Sequence, residues 1–249
     1  MKSVCLALLL LIAPLARAGC EDGLLEKLAR DFGYLTDSPA HIACKAWPLD
    51  PSKTVIVLAH KVPGSEFLKP ATDDVEGVYD LDVMVQATTS GEILLRTTEK
   101  GALTSDAIAL QEIAVDGASY PLAKGVKAFG VRARRSNRHA EIESLSLYAV
   151  RDGKIVRVLA PLHTTADFWE SHDDMEISWS SKTRGTLALA KSSSHGWNDL
   201  VFTERSTEQE FAAHEKPGAP KAAPSVRKFR LRYDGQAYVV PKSLASKQY

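Results

Sequence analysis

The sequence predicts a mainly β fold, either an antiparallel sandwich or an incomplete propeller-like arrangement of sheets, with one short N-terminal helix. About ten short stretches alternate apolar and polar residues with the period of two that half-buried strands require. Turn-forming pairs separate such stretches at Ser90-Gly91, Asp152-Gly153 and Asp234-Gly235, and these pairs favour antiparallel hairpins. Helical stretches of about 10 to 15 residues do not alternate with the strands, which disfavours a parallel, doubly wound sheet.

The first predicted element is a short amphipathic helix in the stretch "CEDGLLEKLARDFGYL". Its apolar residues recur at helical spacing: Leu24, Leu25, Leu28 and Phe32. Gly33 follows them and is expected to end the helix. The pattern changes after Pro39, and Thr54 to His60 form a β-branched, apolar run that is typical of a buried strand.

The chain begins with the features of a cleaved secretory signal. Lys2 is a short positive start, Val4 to Leu15 is almost wholly apolar, and Ala16 to Ala18 offers small residues to a signal peptidase. The apolar run is shorter than the roughly 20 residues of a transmembrane helix, and no later stretch is a candidate span. We expect a signal peptide over residues 1–18 and a single β-rich domain over 19–249. A Pro- and Ala-rich stretch at 214–225 predicts a mobile loop within that domain.

Two cysteines remain after the signal is removed, Cys20 and Cys44. An even pair in an oxidising compartment predicts a disulfide, and therefore a periplasmic or secreted protein. The alternative is a lipoprotein anchored through Cys20, although Arg17 stands where a lipobox requires an apolar residue. Trp47, close to Cys44 in sequence, is expected to pack over the disulfide.

The charge balance bears on the class of partner. The chain carries 31 basic and 31 acidic residues, and removal of Lys2 and Arg17 with the signal leaves a small acidic excess. General nucleic-acid binding depends on an excess of Lys and Arg. The composition therefore argues against a nucleic-acid partner.

Two distant stretches, "VEGVYDLDVMV" at 75–85 and "SHGWNDLVFTE" at 194–204, share the pattern Gly-x-x-Asp-Leu before a strand. They resemble the FG-GAP or VCBS type of β repeat, and the order of several segments is similar to an uncharacterised family of secreted or periplasmic bacterial proteins. The resemblance implies calcium at the first copy, through Asp74, Glu76 and Asp80. The structural alternative is that Gly permits a turn, Asp caps it and the apolar residues enter the core. In the second copy, His195 and Trp197 are expected to be exposed contact residues.

Two further groups are candidates for binding. In "HTTADFWESHDDMEISW", aromatic and charged residues share a predicted loop, with Trp169, His172 and Asp173 as candidates and His163 nearby. Histidines with carboxylates could hold zinc or transfer protons, but their spacing matches no ligand pattern, and a solvated loop or a lid over the core is the alternative. On the strand "VKAFGVRARR", Arg132 and Arg134 form a basic strip for an acidic partner, or a solvated face.

No nucleophile-elbow, metalloprotease, P-loop or dinucleotide-binding motif is present in the sequence. We therefore expect a non-catalytic binding protein without a cofactor, calcium excepted. It would neutralise a protein partner or bind a cell-envelope component. The alternatives are an envelope-directed hydrolase whose site the sequence does not identify and a lipid-anchored structural protein.

Overall fold

The computed structural model describes residues 20–33, 40–66, 76–171, 177–210 and 223–245. The predicted signal peptide lies outside the described residues, as does most of the predicted loop at 214–225. The described parts contain thirteen strands and two helices. None of the helices in these parts is long and apolar enough to cross a membrane.

The strands form two sheets in which all neighbours are antiparallel, as a sandwich requires. The first sheet has the order β1-β2-β3-β4, with β1 (Ala40–Trp47), β2 (Asp50–Lys61), β3 (Gly77–Ala87) and β4 (Ile93–Ser105). The second sheet has nine strands in the order β13-β12-β11-β10-β9-β8-β7-β5, and β6 pairs with β7. Their bounds are β5 (Ala109–Val115), β6 (Tyr120–Ala123), β7 (Val126–Ser136), β8 (Ala140–Arg151), β9 (Lys154–Ser171), β10 (Ile177–Ser194), β11 (Trp197–Glu210), β12 (Ser225–Tyr233) and β13 (Tyr238–Val239). Helix α1 (Leu24–Phe32) precedes β1, and α2 (Lys242–Ala245) follows β13.

Strands β7 and β8 are buried on both faces, and this places them in the middle of the molecule. Phe129 and Tyr148 enter a first core, which they share with the first sheet. The adjacent residues Ala128 and Leu147 enter a second core, which they share with β11 and β12. Because successive side chains of a strand point to opposite faces, one apolar stretch supplies two cores. The fold is therefore a layered antiparallel sandwich, and the predicted fold class is confirmed.

The nine-stranded sheet folds over the second core because β10 changes its partners. From Ile177 to Arg184, β10 pairs with β9, whereas from Gly185 onward it pairs with β11 alone. Strands β11 and β12 thus diverge from β9 and cover the face of β7 and β8 that lines the second core. One face of β10–β12 packs on this core, and the other face points outward.

The predicted hairpin turns are confirmed. Asp152 and Gly153 join β8 to β9 with φ of 51° and 70°, the left-handed conformations of a primed two-residue turn. Gly91 lies between β3 and β4 with φ of 68°, and Gly235 lies between β12 and β13 with φ of 105°. These glycines accept positive φ without a Cβ clash, so they set the register of the flanking strands.

The predicted disulfide is confirmed and attaches α1 to the outer face of the first sheet. Cys20 and Cys44 are bonded, with their Cα atoms 4.9 Å apart. Leu24 and Leu28 of α1 are buried against that face together with Ile56. Helix α1 ends at Gly33, as predicted, with φ of 72°.

The prediction that Trp47 packs over the disulfide is wrong. Trp47 lies in the first core and meets Phe129 edge-on, with ring centroids 5.4 Å apart. Cys44 packs on the opposite face, beneath α1. An odd separation of three residues along a strand places two side chains on different faces, and proximity in sequence concealed this.

Candidate binding surfaces

The predicted basic strip of β7 is engaged in ion pairs. Arg132 donates to Glu143 Oε1 at 2.5 Å, and its Nε lies 3.2 Å from Asp116 Oδ1. Arg134 donates to Glu112 Oε2 at 3.0 Å. Because each arginine has a carboxylate partner, these two charges are compensated within the protein. Arg132 and Arg134 therefore attract an acidic partner only weakly.

Arg132 belongs to a structural cluster between the β5–β6 connection and the central strands. The Tyr120 hydroxyl donates to Asp116 Oδ2 at 2.5 Å, and Arg132 also donates to Thr164 Oγ1 at 3.1 Å. Burial raises the pKa of Asp116, but the hydrogen bonds from Tyr120 and Arg132 outweigh it, and the net pKa is lowered. The carboxylate stays ionised and ties its loop to β7.

The stretch predicted as an aromatic loop is strand over residues 163–171, so that prediction is wrong for this part. It forms the end of β9 and pairs with β10 in a long hairpin. The backbone N–H of Trp169 donates to the His139 carbonyl at 2.9 Å, and the Trp169 side chain is half-buried. His172 and Asp173 lie outside the described residues. Burial, with the charge of Arg135, lowers the pKa of His163 to about 4, so its imidazole is neutral near pH 7.

In the first Gly-x-x-Asp stretch, the aspartate binds the neighbouring strand. Lys100 Nζ donates to Asp80 Oδ2 at 2.6 Å, and the Gly101 N–H donates to Oδ1 at 2.8 Å. Glu76 is buried, and Asp74 lies outside the described residues. The described parts hold no group of three or more His, Cys, Asp or Glu side chains arranged to bind a metal ion. Both oxygens of Asp80 are therefore hydrogen-bonded to β4 and do not cap the preceding turn.

In the second stretch, His195 and Gly196 form the turn between β10 and β11, with φ of 49° and 79°. His195 is exposed, as expected, but the expectation that Trp197 is exposed is wrong. Trp197 is buried and stacks on Tyr233, with centroids 4.1 Å apart and planes 3° apart. The fold places the aromatic ring on the second core because β12 brings a tyrosine from the end of the chain.

The aspartate of the second stretch has the same structural role as that of the first. Asp199 is buried, and the Ser192 hydroxyl donates to its Oδ2 at 2.7 Å. Burial raises the pKa of Asp199, but the hydrogen bonds from Ser192 and Ser194 and the charges of Arg230 and Arg232 outweigh it, so the pKa is lowered. In both copies a buried carboxylate fixes one strand to the next.

A different surface carries cations that form no ion pairs within the described residues. We call it the cationic face and define it as the outward side of β11 and β12 that carries Arg205, Lys228, Arg230 and Arg232. All four side chains are exposed, and within the described residues none of them forms an ion pair or a side-chain hydrogen bond. By contrast Arg227, on the inward side of β12, bonds to Glu204.

An alternating pattern in the sequence predicts this surface. In "RKFRLRY", Lys228, Arg230 and Arg232 alternate with Phe229, Leu231 and Tyr233. The aromatic and aliphatic members of this stretch pack on the second core. Period-two alternation therefore sends all three cations outward.

A groove of about 270 Å³ opens at one end of the first core. Trp47, Leu94 and Lys127 are among its lining residues. Its charges are used internally, since Lys53 pairs with Asp50 at 2.6 Å and Lys127 donates to the Leu49 carbonyl at 2.7 Å. The hydrogen bonds from Lys53 and Ser52 lower the pKa of Asp50 to about 2.

Comparison with protein-family models, with curated proteins and with solved structures found no significant match for this chain. The resemblance to FG-GAP repeats is therefore carried by the two Gly-x-x-Asp stretches alone. Functional inference depends on the fold and on the surfaces described above, of which the cationic face has the charge best placed for a partner.

Proposed function

We propose that this protein is a non-catalytic binding protein of the periplasm or the extracellular space, and that it holds an acidic partner on the cationic face. The partner is an anionic component of the cell envelope or an acidic protein. No chemical step on the partner is part of the proposal.

Two features of the chain support this location. The Cys20–Cys44 disulfide suggests a compartment outside the cytoplasm, because thiols are kept reduced inside it. The apolar N-terminal stretch before Cys20 has the composition of an export signal. The disulfide also uses the Cys20 sulfur that a lipid thioether would require, which favours a released protein over an anchored one.

The observation that carries the proposal is the contrast between two sets of cations. Arg132, Arg134 and Arg184 have carboxylate partners. Arg205, Lys228, Arg230 and Arg232 have none within the described parts of the chain. Four like charges on one exposed sheet face repel one another, and an acidic partner would relieve that repulsion and be steered towards the face.

The test measures binding of the purified protein to a panel of acidic probes. The panel is heparin, inorganic polyphosphate, vesicles of phosphatidylglycerol with phosphatidylcholine, and an acidic globular protein such as ovalbumin. We expect saturable binding of at least one probe, weakened by salt, with the probe recovered at its original chain length. A complete lack of binding at low salt would contradict the proposal, and shortening of a polymer probe would favour the hydrolase alternative instead.

A further inference from the structure

The cations of β12 form a straight row. Lys228, Arg230 and Arg232 lie two residues apart on the same side of one strand, which spaces their Cα atoms by about 6.7 Å and spreads the row over about 13 Å. The residues between them are held in the second core, so the row is fixed by packing of the opposite face. The strand thus presents a regular line of positive charge.

The register with β11 adds a cation to the row and places short side chains beside part of it. Thr203 is opposite Lys228, and Val201 is opposite Arg230. Arg205 is opposite Val226, one step beyond Lys228, and adds a fourth cation at that end. Directly paired residues share a face and lie about 5 Å apart. Short, uncharged side chains therefore flank Lys228 and Arg230, whereas the buried carboxylate of Asp199 lies near Arg230 and Arg232.

Asp199 and Asp234 are carboxylates close to this row, and each already accepts hydrogen bonds within the protein, although Asp199 Oδ1 has no hydrogen-bond partner in the described residues. The Ser192 hydroxyl donates to Asp199, which is buried. Asp234 accepts the backbone N–H groups of Gln236 and Ala237 at 2.8 Å each. They moderate the positive field but do not occupy the row, because neither forms an ion pair with its cations.

The composition of the face favours one class of partner. Protein interfaces centre on aromatic and large apolar anchors, and single-stranded nucleic acids stack on aromatic rings. Among the described residues of the cationic face there is no aromatic side chain, and its most exposed apolar residue is Val226. Membrane attachment also needs an apolar face or a lipid in addition to a few cations. Regularly spaced guanidinium groups match oxyanions, which they bind through two parallel hydrogen bonds.

We propose that the ligand of the cationic face is a linear polyanion of repeated oxyanion groups, lying along β12 with Lys228, Arg230, Arg232 and Arg205 on successive anionic groups. This assignment rests on the proposed function, because it names the chemical class of the acidic partner. Two sources share this chemistry, a sulfated or phosphorylated polysaccharide and inorganic polyphosphate.

The experiment compares the purified protein with two variants of equal net charge. K228Q/R230Q/R232Q removes the row, whereas K124Q/K154Q/K242Q removes three exposed lysines from other parts of the surface. Circular dichroism and thermal melting confirm that both variants fold. Binding of labelled heparin oligosaccharide, polyphosphate and oligothymidylate is followed by fluorescence anisotropy, and that of phosphatidylglycerol vesicles and ovalbumin by co-sedimentation and pull-down, between about 50 and 200 mM salt.

We expect the row variant to bind heparin, polyphosphate or both at least about tenfold more weakly, and its slope of log affinity against log salt to fall by about 2, since three cations are lost. The control variant should stay within about twofold of the original protein. The polymer that is held identifies the source as glycan or polyphosphate. An equal loss in both variants would overturn the proposal, because diffuse charge would then explain binding. Tighter binding of vesicles, ovalbumin or oligothymidylate than of heparin and polyphosphate would overturn the polymer assignment but would still support an acidic partner. A lack of binding to every probe would contradict the proposed function as well.

Discussion

Asp82 lies at the centre of β3 with no exposed surface, and Arg96 Nε of the neighbouring strand donates to its Oδ1 atom at 2.8 Å. The Thr98 hydroxyl donates to the same oxygen, and His60 Nε2 lies 3.1 Å from Oδ2. The Arg96 guanidinium also lies over the Phe32 ring at 4.0 Å. The pair therefore joins three strands of the first sheet to helix α1.

We expect Asp82→Ala to lower the free energy of unfolding by about 3 kcal/mol, because it removes the buried carboxylate and with it the hydrogen bonds that Arg96 and Thr98 donate. Urea denaturation at pH 7 measures the change. Asp22→Ala, at an exposed aspartate before α1, is the control and should stay within about 0.5 kcal/mol. Similar small losses for both variants would show that the Asp82–Arg96 pair contributes little.

His163 makes stability depend on pH. Burial and the charge of Arg135 lower its pKa to about 4, whereas an unfolded histidine has a pKa near 6.5. Between these two pKa values, His163 therefore binds a proton in the unfolded chain but stays neutral in the folded protein. The stability contributed by the neutral imidazole is complete above about pH 6.5 and is lost as the pH falls towards 4.

We expect the free energy of unfolding to fall by on the order of 2 kcal/mol across that window because of His163. Burial also lowers the pKa of His41, so the protein as a whole retains some pH dependence. The measurement is the difference between the protein and His163→Gln in urea titrations from pH 7 to pH 4. A constant difference over the window would contradict a neutral, partly buried His163.

The Cys20–Cys44 disulfide closes a segment with a sequence separation of 24 residues, which predicts a stabilisation of about 3 to 4 kcal/mol from loop closure. We expect the C20S/C44S double variant, and the protein reduced with dithiothreitol, to lose this amount in urea denaturation. Intact mass should lie two hydrogens below the reduced value. A mass increased by lipid on Cys20, or an unchanged stability after reduction, would contradict this assignment.

Sequence patterns predicted the fold class correctly because they reflect local backbone geometry. Alternation and Asp-Gly turns define strands and hairpins, and the positive φ of Gly153 is readable from the sequence for that reason. The partners of Arg132 and Arg134 were not readable, because Glu112, Asp116 and Glu143 reach them only through strand pairing. The row on β12 was readable from alternation, but recognising its cations as unpaired required the structure.

Non-local packing also decided the exposure of Trp197, and this yields a direct test. Trp197 follows a turn whose first residue, His195, is exposed, yet the indole stacks on Tyr233 and contacts the second core. We expect Trp197→Ala to cost about 3 to 5 kcal/mol, since it removes a buried aromatic side chain and leaves a cavity. His195→Asn is the control, because asparagine tolerates the positive φ of this position, and it should change the free energy of unfolding by less than about 0.5 kcal/mol. Urea denaturation followed by circular dichroism measures both. If Trp197→Ala were as mild as the control while it abolished binding of an acidic probe, Trp197 would be a contact residue rather than part of the core.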